Sequence, residues 1–408
     1  MTAETRYLRT PDGAVWTREG PAHRFWTRYL SAFDQVRLVA RTQDVPGPVD
    51  EAHRVDGTGV EVWPVPYYVG PRQYLLRRAA LVRSVRDAAA EGDAVILRVP
   101  SPVGTPLAAA RERRGLPYAV EVVGDPYDVF APGVVRHPAR PLLRRWLTDR
   151  LRHQCREAVA VSYVTAASLQ RRYPARPGRV TIACSSVDLP EEAYLAGPRS
   201  FDPDRPITNL VSVGSLEQLY KGIDTLLEAL ARLAATGLPL RLTHVGDGRY
   251  RPQLERLAAR LGLADRVTFT GRLPAGPRVR ERLDDADLFV LPSRAEGLPR
   301  ALIEAMARAL PAVATNVGGI PELLPAAELV PPESPVTLAE AIRQLVADPA
   351  RLRTSSARNL ARARDYSEEV LARRRDAFYG AVRAATERHP ATGARTRRRR
   401  SDLADVSR

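Results

Sequence analysis

At 408 residues the chain exceeds the ~250–300 residues that one hydrophobic core supports, so two domains are expected. Its 62 Lys+Arg against 47 Asp+Glu leave a formal net charge of +15, carried almost wholly by arginine, which favours anionic partners such as phosphate, acidic lipid or nucleic acid and is silent about fold. No uncharged apolar run approaches the ~18 residues of a membrane span, the start MTAETRYLRTPDG lacks the apolar core of a secretion signal, and Cys155 and Cys184 have neither disulfide-framework nor metal-ligand spacing; a cytoplasmic protein with two ordinary thiols is expected.

From residue 6 to 183, short apolar segments alternate with arginine-rich helical patterns. The strands are QVRLVA (35–40), GVEVW (59–63), AVILRV (94–99), YAVEVV (118–123), EAVAVS (157–162) and RVTIA (179–183), with helices over 72–91, 107–114, 141–155 and 165–173. β-Branched strands alternating with helices imply right-handed crossovers and a parallel sheet, so residues 1–195 read as a Rossmann-like domain. LAGPRSFDPDRP then breaks the rhythm with proline, glycine and charge, marking a linker over 196–207.

The alternation restarts in a second domain spanning 208–364. Strand NLVSVG (209–214) precedes a helix over 224–235, in which Leu226, Leu227, Leu230 and Leu233 share one face. Strand LRLTHVG (240–246), a helix over 252–261, strand RVTFTG (266–271) and a helix over 277–284 follow. Residues 287–322 then supply a βαβ unit: strand 287–292, a polar loop, a helix opening near Pro299, strand 312–315 and a glycine loop. Beyond residue 335 the pattern is helical, with a long arginine-rich stretch over 351–385 broken near 365–367. Residues 365–388 read as a final helix, and 389–408, with RTRRRR, as a basic disordered tail. That tail is either simply solvated or a tether to anionic lipid or nucleic acid.

Four strand-end loops in the second half suit phosphate or polyhydroxyl ligands. GSLEQLYKG (214–222) sets Lys221 at a helix start, where a point charge adds to the positive helix end; it is not a Walker loop, and a merely solvated lysine is the plainer alternative. HVGDG (244–248) brackets Asp247 with two glycines and reads equally as an ordinary turn. Glu296 and Glu304 stand on either side of one strand-to-helix junction and can face one crevice, where carboxylates accept hydrogen bonds from paired hydroxyls. NVGGIPE can offer amides at a further strand end.

These segments resemble the retaining family 4 glycosyltransferases, which have the GT-B fold of two facing Rossmann-like domains. The resemblance is carried by VGSLEQLYKGIDTLLEAL, VGDGRYRPQLERLAARLGL, VTFTGRL and EGLPRALIEAM followed by GGIPELL; in the first half only WTRYLSAFDQV and VEVVGDPYDVF are similar, and YSEEVLARRRDAFY is similar to the helix that crosses back to the first domain in that fold. The likeness implies that Glu304 binds the donor ribose, Glu296 the transferred sugar and Lys221 the leaving diphosphate, helped by amides at Gly318 and Gly319. Gly214, Ser215, Gly246, Asp247, Gly297 and Leu298 complete the donor-binding set, and Gly271 and Arg272 would lie near the base. Asp125 is implied to meet the sugar near the reacting carbon, with Gly20 and Arg24 beside the acceptor; Glu296, Lys221 and Asp125 are the residues expected to act in catalysis.

Two positions depart from that family. Ser215 stands where many relatives carry an arginine, for which Arg294 or Arg24 could substitute, and Gly124 stands where many carry a histidine. The implied reaction moves a glycosyl group from a nucleotide diphosphate sugar to an acceptor hydroxyl, with retention and no metal, because no convincing DxD pair is present. The acceptor is a glycan, a lipid-linked sugar or a small aglycone, with an anionic membrane as a peripheral partner and no specific nucleic acid. The competing readings are a glycoside hydrolase, which would use Glu296 and Glu304 as its two carboxylates, and an arginine-driven anion or nucleic-acid binder, disfavoured by an aromatic content of only 6%.

Overall fold

In the computed structural model, residues 1–389 are described except 19, 51, 132–137 and 203; apart from His389, the tail expected over 389–408 lies outside the described residues. The chain forms two sheets. The first has nine strands, and its parallel part runs Val60–Pro66, Val36–Asp44, Thr2–Arg9, Ile96–Val99, Ala119–Val122, Ala160–Tyr163, Val180–Ala183. Val15–Thr17 and His53–Arg54 add an antiparallel flap beside Thr2–Arg9.

Thr2–Arg9, which pairs with strands on both sides, was not among the strands expected from sequence. Its buried positions are Thr2, Ala3 and Tyr7, and two of these are polar or small, so the segment TAETRYLR carries no apolar alternation. It is buried because neighbours cover it, and that is a tertiary property.

All six strands of the second sheet are parallel, in the spatial order Val267–Phe269, Arg241–Val245, Asn209–Val213, Leu288–Leu291, Ala312–Thr315, Leu329–Val330. In chain order this is 3-2-1-4-5-6, a Rossmann arrangement whose order reverses between Asn209–Val213 and Leu288–Leu291. Ligands in such sheets sit at the carboxyl ends of the two strands flanking the reversal. The helix Ile223–Ala235 packs against this sheet through Ile223, Leu226, Leu227, Leu230 and Leu233, each at most 2% exposed.

The two halves share one continuous hydrophobic cluster, in which Val120, Val161 and Tyr163 of the first sheet join Phe289, Leu291 and Ala314 of the second. The long C-terminal pattern divides into Pro349–Ala363, a short 3₁₀ turn Arg364–Tyr366, and Glu368–Glu387, where Ser367 Oγ accepts from Val370 N at 3.4 Å. The last helix returns to the first sheet: Phe378, Tyr379 and Val382 are buried with Trp26 and Tyr29, and the Tyr29 and Tyr379 rings lie 5.1 Å apart.

Candidate active site

Lys221 and Glu296 meet at the order reversal of the second sheet. Gly214 follows strand Asn209–Val213, and the stem of Lys221 folds back over it: a Cβ at Gly214 would lie 3.1 Å from Lys221 Cδ. Gly222, at φ 69°, lets the loop press on the end of strand Leu288–Leu291, since a Cβ there would stand 2.0 Å from Pro292 O. Thus held, Lys221 Nζ donates to Glu296 Oε1 at 2.6 Å, and Ser293 Oγ donates to the same oxygen at 2.7 Å. The two charged side chains are 14% and 8% exposed. Burial works against the Lys221 ammonium, but the Glu296 carboxylate outweighs it and the net shift is upward, so the lysine stays charged.

Glu304 lies in the helix Arg300–Ala307 and, unlike Glu296, makes no side-chain hydrogen bond or ion pair among the described residues. Burial raises its pKa, with Arg300 and Arg280 pulling it back down and Asp188 adding to the rise. A half-buried carboxylate with open acceptor sites suits a pair of hydroxyl donors. Arg300 acts electrostatically on both Glu304 and Lys221 and places an exposed cation at the junction.

Arg294 is not the substitute cation suggested at Ser215. Its guanidinium grips both Asp224 oxygens at 3.0 and 2.9 Å, Glu333 at 2.9 Å, and the Leu219 carbonyl, so it fastens the Lys221 loop from behind. Ser215 itself is exposed, its hydroxyl accepting from Glu217 N at 3.3 Å.

The glycines around Asp247 serve the protein's own backbone. A Cβ on Gly246 would lie 1.9 Å from Gly214 O, and Gly246 N donates to Gly271 O at 3.0 Å. Asp247 accepts from Gly248 N at 2.7 Å and pairs with Arg251 at 3.3 Å, while Gly271 packs against both side chains and Arg272 points outward, exposed. Beneath them His244, fully buried, sets Nε2 3.0 Å from Gly214 O and Nδ1 3.3 Å from Ser212 Oγ; burial lowers its pKa to about 4, so its ring is neutral.

Gly318 has φ 54°, and a Cβ there would fall 1.9 Å from Glu296 O, which binds the glycine loop tightly to the carboxylate loop. The Gly319 amide, expected to serve the diphosphate, is spent on Gly297 O at 2.7 Å. Gly297 in turn faces the first domain, where a Cβ would lie 3.1 Å from Val123 O and 3.8 Å from Gly124 Cα; Leu298 beside it is 8% exposed.

Between the halves lies a cavity of about 510 Å³, lined by Asp125, Ser168 and Arg172 from one side and Glu296, Asn316 and Gly318 from the other. Asp125 and Glu296 therefore face one space. Asp125 is 5% exposed and fully engaged: it accepts from Tyr127 N at 2.9 Å and Tyr173 OH at 2.5 Å, and it pairs with Arg172, which also reaches Asp128 at 2.9 Å. Arg172 lies 4.4 Å over the Tyr127 ring. Gly20 packs on Thr5 and Thr17, Arg24 is exposed on the short helix His23–Thr27, and neither lines this cavity.

Sequence reasoning missed Glu322, the last residue of GGIPE. Its carboxylate accepts from three first-domain amides, Ala166 at 2.5 Å, Ala167 at 3.1 Å and Ser168 at 2.8 Å, and so ties the halves together beside the cavity. It also missed Arg172 and Tyr173, although SLQRRY directly after a strand places an arginine pair at the crevice edge.

Residues 207–348 match the family described as glycosyl transferases group 1. Protein CapJ of Staphylococcus aureus is 24% identical over 331 residues, 80% of this chain and 81% of that protein. Alpha-D-kanosaminyltransferase of Streptomyces kanamyceticus is 32% identical over 261 residues, 60% of this chain and 65% of that protein. Among solved structures, sucrose-phosphate synthase from Thermosynechococcus elongatus superposes with a TM-score of 0.67 at 19% identity, over 89% of this chain and 92% of that one. Anabaena HepE in complex with UDP gives a TM-score of 0.58 at 18% identity, over 92% and 98%.

Proposed function

Because the chain is a glycosyltransferase of GT-B fold with a group 1 domain over residues 207–348, we propose that it transfers a sugar from a nucleotide diphosphate sugar to an acceptor hydroxyl with retention of anomeric configuration. The observation that carries this reading is the Lys221–Glu296 pair, seated where ligands bind in a Rossmann sheet and opening on the cavity shared with Asp125. In transfer, positive charge grows on the sugar ring and negative charge on the departing diphosphate, and preorganised cations are worth most at the latter. Lys221 supplies that charge, with Arg300 and the Gly318 amide in support. Glu304, its acceptor sites open, takes the ribose hydroxyls, and Glu296 takes hydroxyls of the sugar.

Asp125 orders the wall opposite Glu296 through Arg172 and Tyr173 and carries no proton in the step. The same face of the sugar is used for departure and attack, since Glu296 is already held by Lys221 and Ser293. The acceptor is a glycan, a lipid-linked sugar or a small aglycone, and the setting is cytoplasmic, with peripheral contact to an anionic membrane. The kanosaminyltransferase, by its name, transfers an alpha-D-kanosaminyl group, and transfer of a glycosyl group of that kind fits this range.

A thermal-shift screen with UDP, GDP, ADP and TDP tests the donor class, because a ligand that binds only the folded chain raises its melting temperature. One nucleotide should stand out, and its sugar conjugate should release nucleotide when acceptor is added. No shift from any of the four would overturn the reading.

A further inference from the structure

Seven of the nine large hydrophobic side chains that the described residues expose lie in two places on the first domain, one at the start of a helix and the other across a short helix and the start of the longer helix after it. Val69, Leu75 and Leu76 belong to the start of Gly70–Arg86, with Leu75 67% and Leu76 85% exposed; Tyr127 and Val129 belong to the short helix Pro126–Val129, and Leu142 and Trp146 to the first half of Arg140–Glu157, with Leu142 70% and Trp146 56% exposed. Topology brings these places together. Gly70–Arg86 lies between the parallel strands Val60–Pro66 and Ile96–Val99, and Pro126–Val129 with Arg140–Glu157 between the parallel strands Ala119–Val122 and Ala160–Tyr163, so both crossovers leave from the carboxyl edge of the first sheet. Both also cover the same face of that sheet: Leu81 and Val85 of the first helix and Leu151 and Cys155 of the second are buried in one cluster, with Leu107 and Ala108 of Gly104–Arg113 between them. The apolar helix starts therefore form one rim, about 20 Å across at ordinary helix spacing, along the edge that also holds Asp125 and the cavity.

The rim is cationic as well as apolar. Gly70–Arg86 has five arginines and no acidic residue, and over residues 70–80 only Tyr74 is not exposed. Beside Trp146, Arg145 is 85% exposed, and Arg144 stacks 3.4 Å over the Tyr127 ring. Exposed leucine and tryptophan interleaved with arginine is the pattern of a surface that dips into the headgroup layer, with apolar tips buried and guanidinium groups on lipid phosphates. A helix that leaves two adjacent leucines in water needs a partner, and five arginines without a carboxylate on Gly70–Arg86 select one with negative charge; on the other helix Asp149, 3.8 Å from Arg145, offsets part of the charge there.

We propose that this rim, Leu75, Leu76, Leu142 and Trp146 with Arg72, Arg77, Arg78 and Arg145, docks the chain on an anionic bilayer and sets the mouth of the cavity at the membrane surface. The inference names the membrane contact of the proposed function and assigns it to residues; it rests on that reading only for its purpose, delivery of a membrane-borne acceptor.

The test is flotation of the full chain with phosphatidylcholine vesicles and with vesicles half phosphatidylglycerol, without sugar donor, so that failure here leaves the transferase reading standing. Wild type floats with the anionic vesicles only. Leu76→Ser/Trp146→Ser, at exposed positions and with an unchanged melting temperature, loses roughly tenfold in partitioning. Brominated phosphatidylglycerol quenches wild-type tryptophan emission, and Trp146→Phe abolishes the quenching. Absence of wild-type flotation, undiminished flotation of the double variant, or quenching that survives Trp146→Phe would each overturn the proposal. So would a wild-type dimer that the double variant turns into monomer, which would make a second copy the occupant.

Discussion

Lys221 Nζ and Glu296 Oε1 stand 2.6 Å apart with both side chains largely withdrawn from water, so before any donor arrives the lysine's charge is already matched by a carboxylate. A buried pair of this kind adds little net stability, yet loss of one partner is costly because the other charge is left uncompensated. A diphosphate changes the balance by bringing more negative charge than Glu296 offers. Lys221→Ala is expected to lower transfer by roughly 10²–10³-fold, the usual effect of removing one preorganised stabiliser of a leaving group, and to cost about 1–3 kcal/mol of stability. Steady-state kinetics alongside a denaturant titration measure both; wild-type turnover in this variant would remove the diphosphate role.

Glu304 yields a different expectation because it has no partner to lose. Its carboxyl titrates above the usual carboxylate range because of burial, and only the ionised form accepts two hydrogen bonds from vicinal hydroxyls. Donor affinity should therefore fall as pH drops through that raised pKa. Glu304→Gln should bind the nucleotide more weakly by roughly tenfold at neutral pH and show a flat profile over the same range. Calorimetric titration of the nucleotide across pH reads this directly. A wild-type profile as flat as the variant's would assign the ribose contact elsewhere.

The parts of this arrangement that were legible in the sequence are those written in local patterns. Leu226, Leu227, Leu230 and Leu233 announce their helix by spacing, and Glu296 and Glu304 announce a crevice because a strand, a loop and a helix follow in a fixed register. Commitments made across the fold were not legible. Arg294 looked like a spare cation for the donor, but Asp224 and Glu333, distant in sequence, claim it. Thr2–Arg9 carries no pattern of its own, and Glu322 shows its part only when residues 166–168 arrive opposite it. The Gly246 and Gly319 positions were read as openings for a ligand, whereas backbone from within the same domain fills the space beside each.

Glu322 concentrates three amide hydrogen bonds from the other half of the molecule on one carboxylate. Charge-assisted bonds of this kind are about twice as strong as neutral ones, and they hold the cavity walls at their present separation. Glu322→Ala should let the halves part: the radius of gyration from solution scattering should rise in the ligand-free chain, and KM for the donor should rise roughly tenfold with a smaller change in kcat. Addition of the best-binding nucleotide should partly restore compactness. Scattering curves that superpose for variant and wild type would show that the shared hydrophobic cluster alone sets the domain spacing.

His244 makes the donor-side fold sensitive to acid. Its ring is fully buried between Gly214 O and Ser212, and burial lowers its pKa from 6.5 to about 4. The unfolded chain thus takes up a proton in a range where the folded chain does not, so stability falls as pH drops below about 6.5 and the loss is complete near pH 4. Between pH 7 and pH 5 this one group accounts for about 2 kcal/mol. Denaturant titrations at the two values read the net loss in wild type, to which other groups contribute with either sign, Glu304 with its raised pKa opposing it. His244→Gln should be less stable than wild type at pH 7 and lose about 2 kcal/mol less on acidification. Parallel losses in the two proteins would mean that the acid sensitivity of this half of the chain arises elsewhere, and the lysine loop above Gly214 would then keep its geometry well below neutral pH.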